Sequence, residues 1–183
     1  MIEASNVTCS ETILPIDKYS SIREVYRITN KVAKAFRRWY ENCKAFSDKP
    51  REWVHFSAER HYILAAQCSN YPLVYECLLR KPTQEQFSSA RKFIKDLSLV
   101  LDDEGLIRSL GRLENAENSQ IANSPILLPP KSHLCNLIVR QAHERCLHGG
   151  TGETLTHLRR RFWVPKGRQT VKSITSRCVT CKH

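Results

Sequence analysis

Apolar residues recur at helical spacing through the first part of the chain. Between Ile16 and about Phe46 they form a broad stripe, and lysine and arginine fill the opposite side of the predicted helix. Ser21 and Glu24 have the spacing of a capping box, which predicts a helix start at Ser20 or Ser21. The stripe consists of Ile22, Val25, Tyr26, Val32, Ala33, Phe36, Trp39 and Tyr40.

Two further helical stretches follow. Residues 53–80 favour helix, but the sequence SNYP at 69–72 predicts a break within them. The next stretch has a clearer pattern, with Thr83 as a fitting N-cap and Gln86 at the capping-box position. Its apolar face consists of Phe87, Ala90, Ile94 and Leu97.

The pattern changes after residue 98. The sequence LDDEG at 101–105 is typical of a turn, and LIRSLGRL after it favours a short strand. Residues 114–125 have no apolar periodicity and predict a polar linker. The sequence PILLPP at 125–130 favours a second short strand.

Residues 131–183 return to helical periodicity in three pieces. Ser132 is a fitting N-cap for the first helix, which the sequence HGGTG at 148–152 ends. A second helix starts near Thr151 and ends at WVPKG, and a third starts at about Arg168. The apolar positions of the three helices are Leu134, Leu137, Ile138, Ala142, Leu155, Leu158, Phe162, Val171 and Ile174.

The positive charge of the chain is concentrated in this last segment. The formal net charge of the 183 residues is +11, and residues 131–183 hold 11 Lys and Arg against Glu144 and Glu153, a net of +9. A dense basic segment indicates a polyanionic partner, with nucleic acid first, although a solvated basic face would have the same composition. We therefore expect DNA as a partner and no small-molecule substrate.

Eight cysteines raise the question of disulfides. The first 20 residues lack the apolar run of a secretory signal, and no stretch approaches the roughly 20 apolar residues of a membrane span. We therefore expect an intracellular chain, in cytoplasm or nucleus and not in a membrane, where thiols stay reduced. The cysteines are then thiols or metal ligands.

Two pairs of metal-ligating residues bracket the basic segment. His143 and His148 lie five positions apart, and Cys178 and Cys181 lie three apart. Two histidines and two cysteines suit one tetrahedral structural Zn²⁺, and three short helices bury too little apolar surface to be stable without such help. The cysteine pair alone would also fit a redox motif, and Cys146 or Cys135 is an alternative ligand.

The segment resembles the zinc-binding N-terminal domain of retroelement integrases, of the kind found in BEL/Pao-type retrotransposon polyproteins. The resemblance is carried by AHERCLHGG, TLTHLRRRFWVPKGR and RCVTCKH, and LPIDKYSSIREVYRITNKVAKAFRRW resembles the stretch between the ribonuclease H and integrase parts. It implies one zinc on His143, His148, Cys178 and Cys181, and a role in DNA engagement and multimerisation. No acidic residue matches the integrase catalytic triad, so we expect no catalytic residues and no enzyme.

The fold class that we predict is mainly α, a small zinc-stapled three-helix bundle with a helix-turn-helix look. We predict four parts: 1–14 disordered or a boundary segment, 15–98 a helical connecting region, 99–130 a short β extension and linker, and 131–183 the zinc-binding domain. The leading function is nucleic-acid binding and self-association without a catalytic core; a protein-interaction scaffold and an inert fragment of a degenerate element are the alternatives. The candidate nucleic-acid contacts are Arg159, Arg160, Arg161, Lys166, Arg168, Lys172 and Arg177.

Overall fold

The computed structural model describes residues 12–42, 56–80, 82, 85–111 and 124–182. These residues are mainly helical, with one small four-stranded sheet. The helices are α1 (Ile22–Asn42), α2 (Ala58–Asn70), α3 (Pro72–Arg80), α4 (Ser88–Leu97), α5 (His133–Arg145), α6 (Thr151–Arg159) and α7 (Gly167–Thr175), with 3-10 turns at Ile16–Lys18 and Glu85–Phe87. The strands are β1 (Leu99–Leu101), β2 (Ile107–Ser109), β3 (Ile126–Leu127) and β4 (Phe162–Trp163).

Helix α1 buries a narrower face than its sequence pattern predicts. Ile22, Val25, Thr29 and Ala33 are buried at helical spacing, whereas Val32, Phe36 and Trp39 of the predicted stripe are exposed. The predicted helical end at 43–46 and the side chain of Tyr40 lie outside the described residues. The α1 face that contacts the core is therefore one stripe along the helix.

The predicted break between the second and third helices is confirmed. Tyr71 caps α2 through its N–H to the Gln67 carbonyl, and Pro72 begins α3, a position where its missing N–H costs no helical hydrogen bond. The fourth helix begins later than predicted, at Ser88 after a 3-10 turn. The predicted N-cap Thr83 lies outside the described residues.

The β extension forms a hairpin and one further short strand. Strands β1 and β2 pair antiparallel around the predicted turn, where the Asp102 carboxylate accepts from the N–H groups of Glu104 and Leu106 and pairs with Arg108. Strand β3 pairs antiparallel with β2. The predicted strand in PILLPP is thereby confirmed, while residues 112–123, including most of the predicted linker, lie outside the described part.

Strand β4 is the main difference from the sequence prediction for residues 131–183. The sequence predicts Phe162 on the second helix and WVPKG as its end, but α6 ends at Arg159. The backbone at 162–163 instead pairs parallel with β3, with Ile126 opposite Phe162 and Leu127 opposite Trp163. The predicted cap Ser132 is confirmed, because its side chain accepts from the Cys135 N–H. The basic segment is therefore three helices with one strand, which joins the shared sheet.

The apolar core is continuous between the first helices and the basic segment. One cluster packs Ile22 and Tyr62 of α1 and α2 against Leu134, Ile138 and further apolar residues of α5–α7. A second cluster joins α2, α3 and α4 to the sheet through residues such as Phe87 and Leu127. The predicted boundaries between the four parts of the chain stay predictions.

None of the helices in the described part of the chain has the length and apolar character needed to span a membrane.

Candidate metal centre and basic groove

The structure brings the four predicted metal ligands together. His143 lies near the end of α5 and is 4% exposed, and His148 lies in the loop that follows. Cys178 and Cys181 lie in the segment after α7. One ligand atom from each of the four residues lies within 4.8 Å of the others.

The loop after α5 turns His148 back toward His143. Leu147 and His148 both have left-handed backbone conformations, with φ of 50° and 62°, which costs about 1 kcal/mol each for residues other than glycine. The His148 N–H donates to the His143 carbonyl at 3.0 Å, and the two imidazole rings meet edge to face with centroids 4.9 Å apart. This turn therefore brings the His148 ring next to the His143 ring.

The donor set and its spacing fit a tetrahedral zinc ion. The distance from His143 Nε2 to Cys181 Sγ is 3.2 Å, and that from His148 Nδ1 to Cys178 Sγ is 3.3 Å. With Zn–S and Zn–N bonds near 2.3 and 2.0 Å, a tetrahedron has N···S edges of about 3.5 Å. The four side chains are therefore already close to the positions that zinc requires.

The electrostatics favour the thiolate that binds metal. Several effects together lower the pKa of Cys178 to about 6; the backbone N–H of Cys181 contributes most, and burial opposes the shift. Burial, followed by the neighbouring Cys178, raises the pKa of Cys181. Since thiolate is the form that binds zinc, Cys178 is poised as a ligand at neutral pH.

The alternative cysteine ligands lie apart from this cluster. Cys135 is fully buried in the core, and burial raises its pKa to about 12. Cys146 is half-buried, with its sulfur 4.0 Å from the Glu153 carbonyl. Neither belongs to the metal-binding group found among the described residues.

Sequence reasoning missed Thr154, whose side chain contacts a zinc ligand. Thr154 lies on α6 and is buried, and its Oγ1 is 3.1 Å from His143 Nδ1. A signal was present, because Thr154 precedes Leu158 by four residues and so shares its buried helical face.

Beside α6 and α7 lies an open groove with a volume of about 550 Å³. Four of the seven predicted nucleic-acid contacts line it, and the lining residues include no acid. Half-buried Trp163 also lines the groove, and the Arg159 guanidinium carbon lies 5.7 Å from the centroid of its ring. The complete lining is Arg159, Trp163, Val164, Lys166, Gly167, Arg168, Gln169 and Lys172.

The other three predicted contacts are not among the groove residues. Arg161 pairs with Glu59 of α2 at 3.0 Å, and its guanidinium carbon lies 5.4 Å from the centroid of the Phe162 ring. Arg160 and Arg177 are exposed but do not line the groove. The three consecutive arginines at the end of α6 thus have different surroundings, and Arg159 is the one that lines the groove.

Comparison with known proteins agrees with this geometry. Residues 130–183 match the family model described as the integrase zinc binding domain. No curated protein and no solved structure matches the chain. Residues 130–183 are therefore an integrase-type zinc-binding region, and the matched family together with the His2Cys2 cluster identifies its metal as zinc.

Proposed function

We propose that residues 130–183 form a nucleic-acid-binding and self-association module that depends on zinc and derives from the integrase of a BEL/Pao-type retrotransposon. The family match supports the integrase origin, and the quoted sequence resemblance supports the lineage. We place its action in the cytoplasm or nucleus, where thiols stay reduced.

In this proposal the zinc is structural. Two histidines and two cysteines fill the four positions of a tetrahedral ion and leave none for a reactive water. The ion would join the end of α5 to the segment after α7, and so would staple the three-helix bundle of α5, α6 and α7. We assign no chemical step to the described residues, so the proposed module is not an enzyme.

The observation that carries the proposal of nucleic-acid binding is the charge of the groove. Arg159, Lys166, Arg168 and Lys172 surround one concave surface without an acidic neighbour in its lining. A phosphate backbone is the polyanion that such a surface suits, because each neutralised phosphate releases bound counterions. Trp163 at the wall offers an apolar surface beside these charges.

Reversing two groove charges is expected to weaken DNA binding and flatten its salt dependence. The variant carries Arg168→Glu and Lys172→Glu, both on exposed positions of α7. We expect the affinity for a short DNA duplex at low salt to fall at least about tenfold, and the log–log salt slope to drop by about 1 for each cation removed. Fluorescence anisotropy of the zinc-loaded full chain across a salt series measures both.

The matched control carries Arg160→Glu and Arg177→Glu, which change the charge equally at exposed positions outside the groove. We expect the control to lose much less affinity for DNA than the groove variant. Equal losses in both variants would show that net charge, not the groove, governs binding. DNA binding that is undetectable at 50 mM salt in the unmodified chain would reject the function.

Exposed apolar side chains on α1 favour a second candidate, a protein-interaction scaffold. Trp39 is 55% exposed and Val32 is 46% exposed. Light scattering of the same charge-reversed variants separates the two functions. Lost DNA binding with an unchanged oligomer supports the nucleic-acid module, whereas a DNA-independent oligomer that Trp39→Glu disrupts supports the scaffold.

A further inference from the structure

The buried hydroxyl of Thr154 contacts His143 of the zinc site and the loop that carries His148. Thr154 is on the second turn of α6 and is 0% exposed. Its Oγ1 lies 3.1 Å from His143 Nδ1 and 3.1 Å from the carbonyl oxygen of Gly149, the residue after His148. One side chain therefore contacts one histidine ligand and the residue that follows the other.

The hydrogen-bonding capacity of the hydroxyl decides which nitrogen of His143 carries a proton. A hydroxyl has one hydrogen, and Thr154 donates it to the Gly149 carbonyl. Thr154 must then accept from His143, so Nδ1 is protonated. The lone pair of Nε2 is left free on the side that faces the Cys181 sulfur, 3.2 Å away.

We propose that Thr154 is the positioning residue of the zinc site. It holds His143 as the Nδ1–H tautomer and aims Nε2 at the metal. Through the Gly149 carbonyl it also steadies the loop in which Leu147 and His148 adopt left-handed conformations. Such outer partners of metal-bound histidines fix ring orientation and raise the affinity for the ion.

Replacing Thr154 with valine is the direct test, because valine keeps the branched shape and removes the hydroxyl. We expect the affinity of the full chain for Zn²⁺ to fall about tenfold or more, measured by competition with a chromophoric chelator. The matched control is Thr175→Val, since Thr175 is also buried in this segment but its hydroxyl bonds to Thr151 and Lys172, not to a ligand. Equal affinities in the two variants would overturn the proposal.

A conservative variant and a spectroscopic measurement separate positioning from simple packing. Thr154→Ser retains the hydroxyl and loses the methyl group, so its zinc affinity should stay within about threefold of the unmodified chain if the hydrogen bonds matter. A loss as large as that of the valine variant would assign the effect to packing and overturn the proposal.

Long-range proton–nitrogen NMR of the zinc-loaded, unmodified chain gives a result that needs no variant to fold. The His143 ring should show a protonated Nδ1 and a metal-bound Nε2. A metal-bound Nδ1, or a rapidly exchanging Nδ1 proton, would contradict the assigned role even if the valine variant did not fold.

Discussion

Replacing Cys178 with serine is expected to abolish zinc binding by the full chain and to unfold α5, α6 and α7. A serine hydroxyl stays protonated at neutral pH, whereas the Cys178 thiol has a pKa lowered to about 6 and readily supplies the thiolate that zinc requires. The segment that follows α7 would then lose its link to His143. We expect the zinc-to-protein ratio to fall from about one to near zero, with a loss of far-ultraviolet helical signal.

The control for this variant is Cys146→Ser. Cys146 lies between the two histidines in sequence, is half-buried and contains a free thiol, but it is outside the four-residue cluster. It should keep zinc and helix content. If Cys178→Ser retained zinc, or if Cys146→Ser lost it, the assignment of the ligands would be wrong. Removing zinc from the unmodified chain with a chelator should give the same far-ultraviolet spectrum as the Cys178→Ser variant.

The loss of helix should extend beyond the zinc-binding residues. Helix α5 carries His143 and also packs in the same core as Ile22 and Tyr62. Chelation should therefore lower the stability of α1 and α2 as well, because they lose part of the surface against which they pack. Amide hydrogen exchange of the full chain, with and without zinc, would measure the loss of protection in α1 and α2.

Replacing Gln67 with methionine is expected to be the most destabilising change away from the zinc site. Gln67 is 0% exposed, and its amide spans two strands. Its Nε2 donates to the carbonyls of Ile107 at 2.9 Å and Leu127 at 2.6 Å. Its Oε1 accepts from the Ile107 N–H at 2.9 Å and from the Tyr75 hydroxyl at 3.1 Å.

Methionine nearly preserves the volume of glutamine but leaves the Ile107 N–H and the Ile107 and Leu127 carbonyls without this partner, while the Tyr75 hydroxyl keeps the Gly105 carbonyl. Each unsatisfied group costs about 1–3 kcal/mol, so we expect the free energy of unfolding to fall by about 3 kcal/mol or more. Denaturant titration of the zinc-loaded chain measures the loss. Gln169→Met, at an exposed position, is the control; a Gln67 variant within about 0.5 kcal/mol of it would show that the amide contributes little.

The helices of the basic segment and the metal ligands follow from local sequence. Ser132 caps α5 because a serine side chain satisfies an N–H that the helix leaves free, and this depends on neighbours only a few residues away. The apolar positions of α5, α6 and α7 repeat at helical spacing, which is also a local property, whereas Phe162 of the predicted pattern lies in β4. The His and Cys pairs were recognisable because their spacing and flanking residues resemble a known metal-binding segment.

Pairing between distant residues was decided only by the tertiary structure. A two-residue strand such as β4 has no period of its own and exists because β3 supplies hydrogen-bond partners about 36 positions away. The same applies to Gln67, whose partners lie 40 and 60 residues along the chain. Its spacing of four residues from Ile63 places Gln67 on a buried helical face, but no local pattern predicts which strands it binds.

Packing also decides where each basic side chain points. The sequence alone determined that residues 131–183 are basic and mainly helical and contain two histidines and two cysteines that suit zinc. The tertiary structure decided that Arg159 faces the groove while Arg161 pairs with Glu59, and that Thr154 contacts His143. Composition and periodicity are local properties, but which side chains meet depends on how whole elements pack against one another.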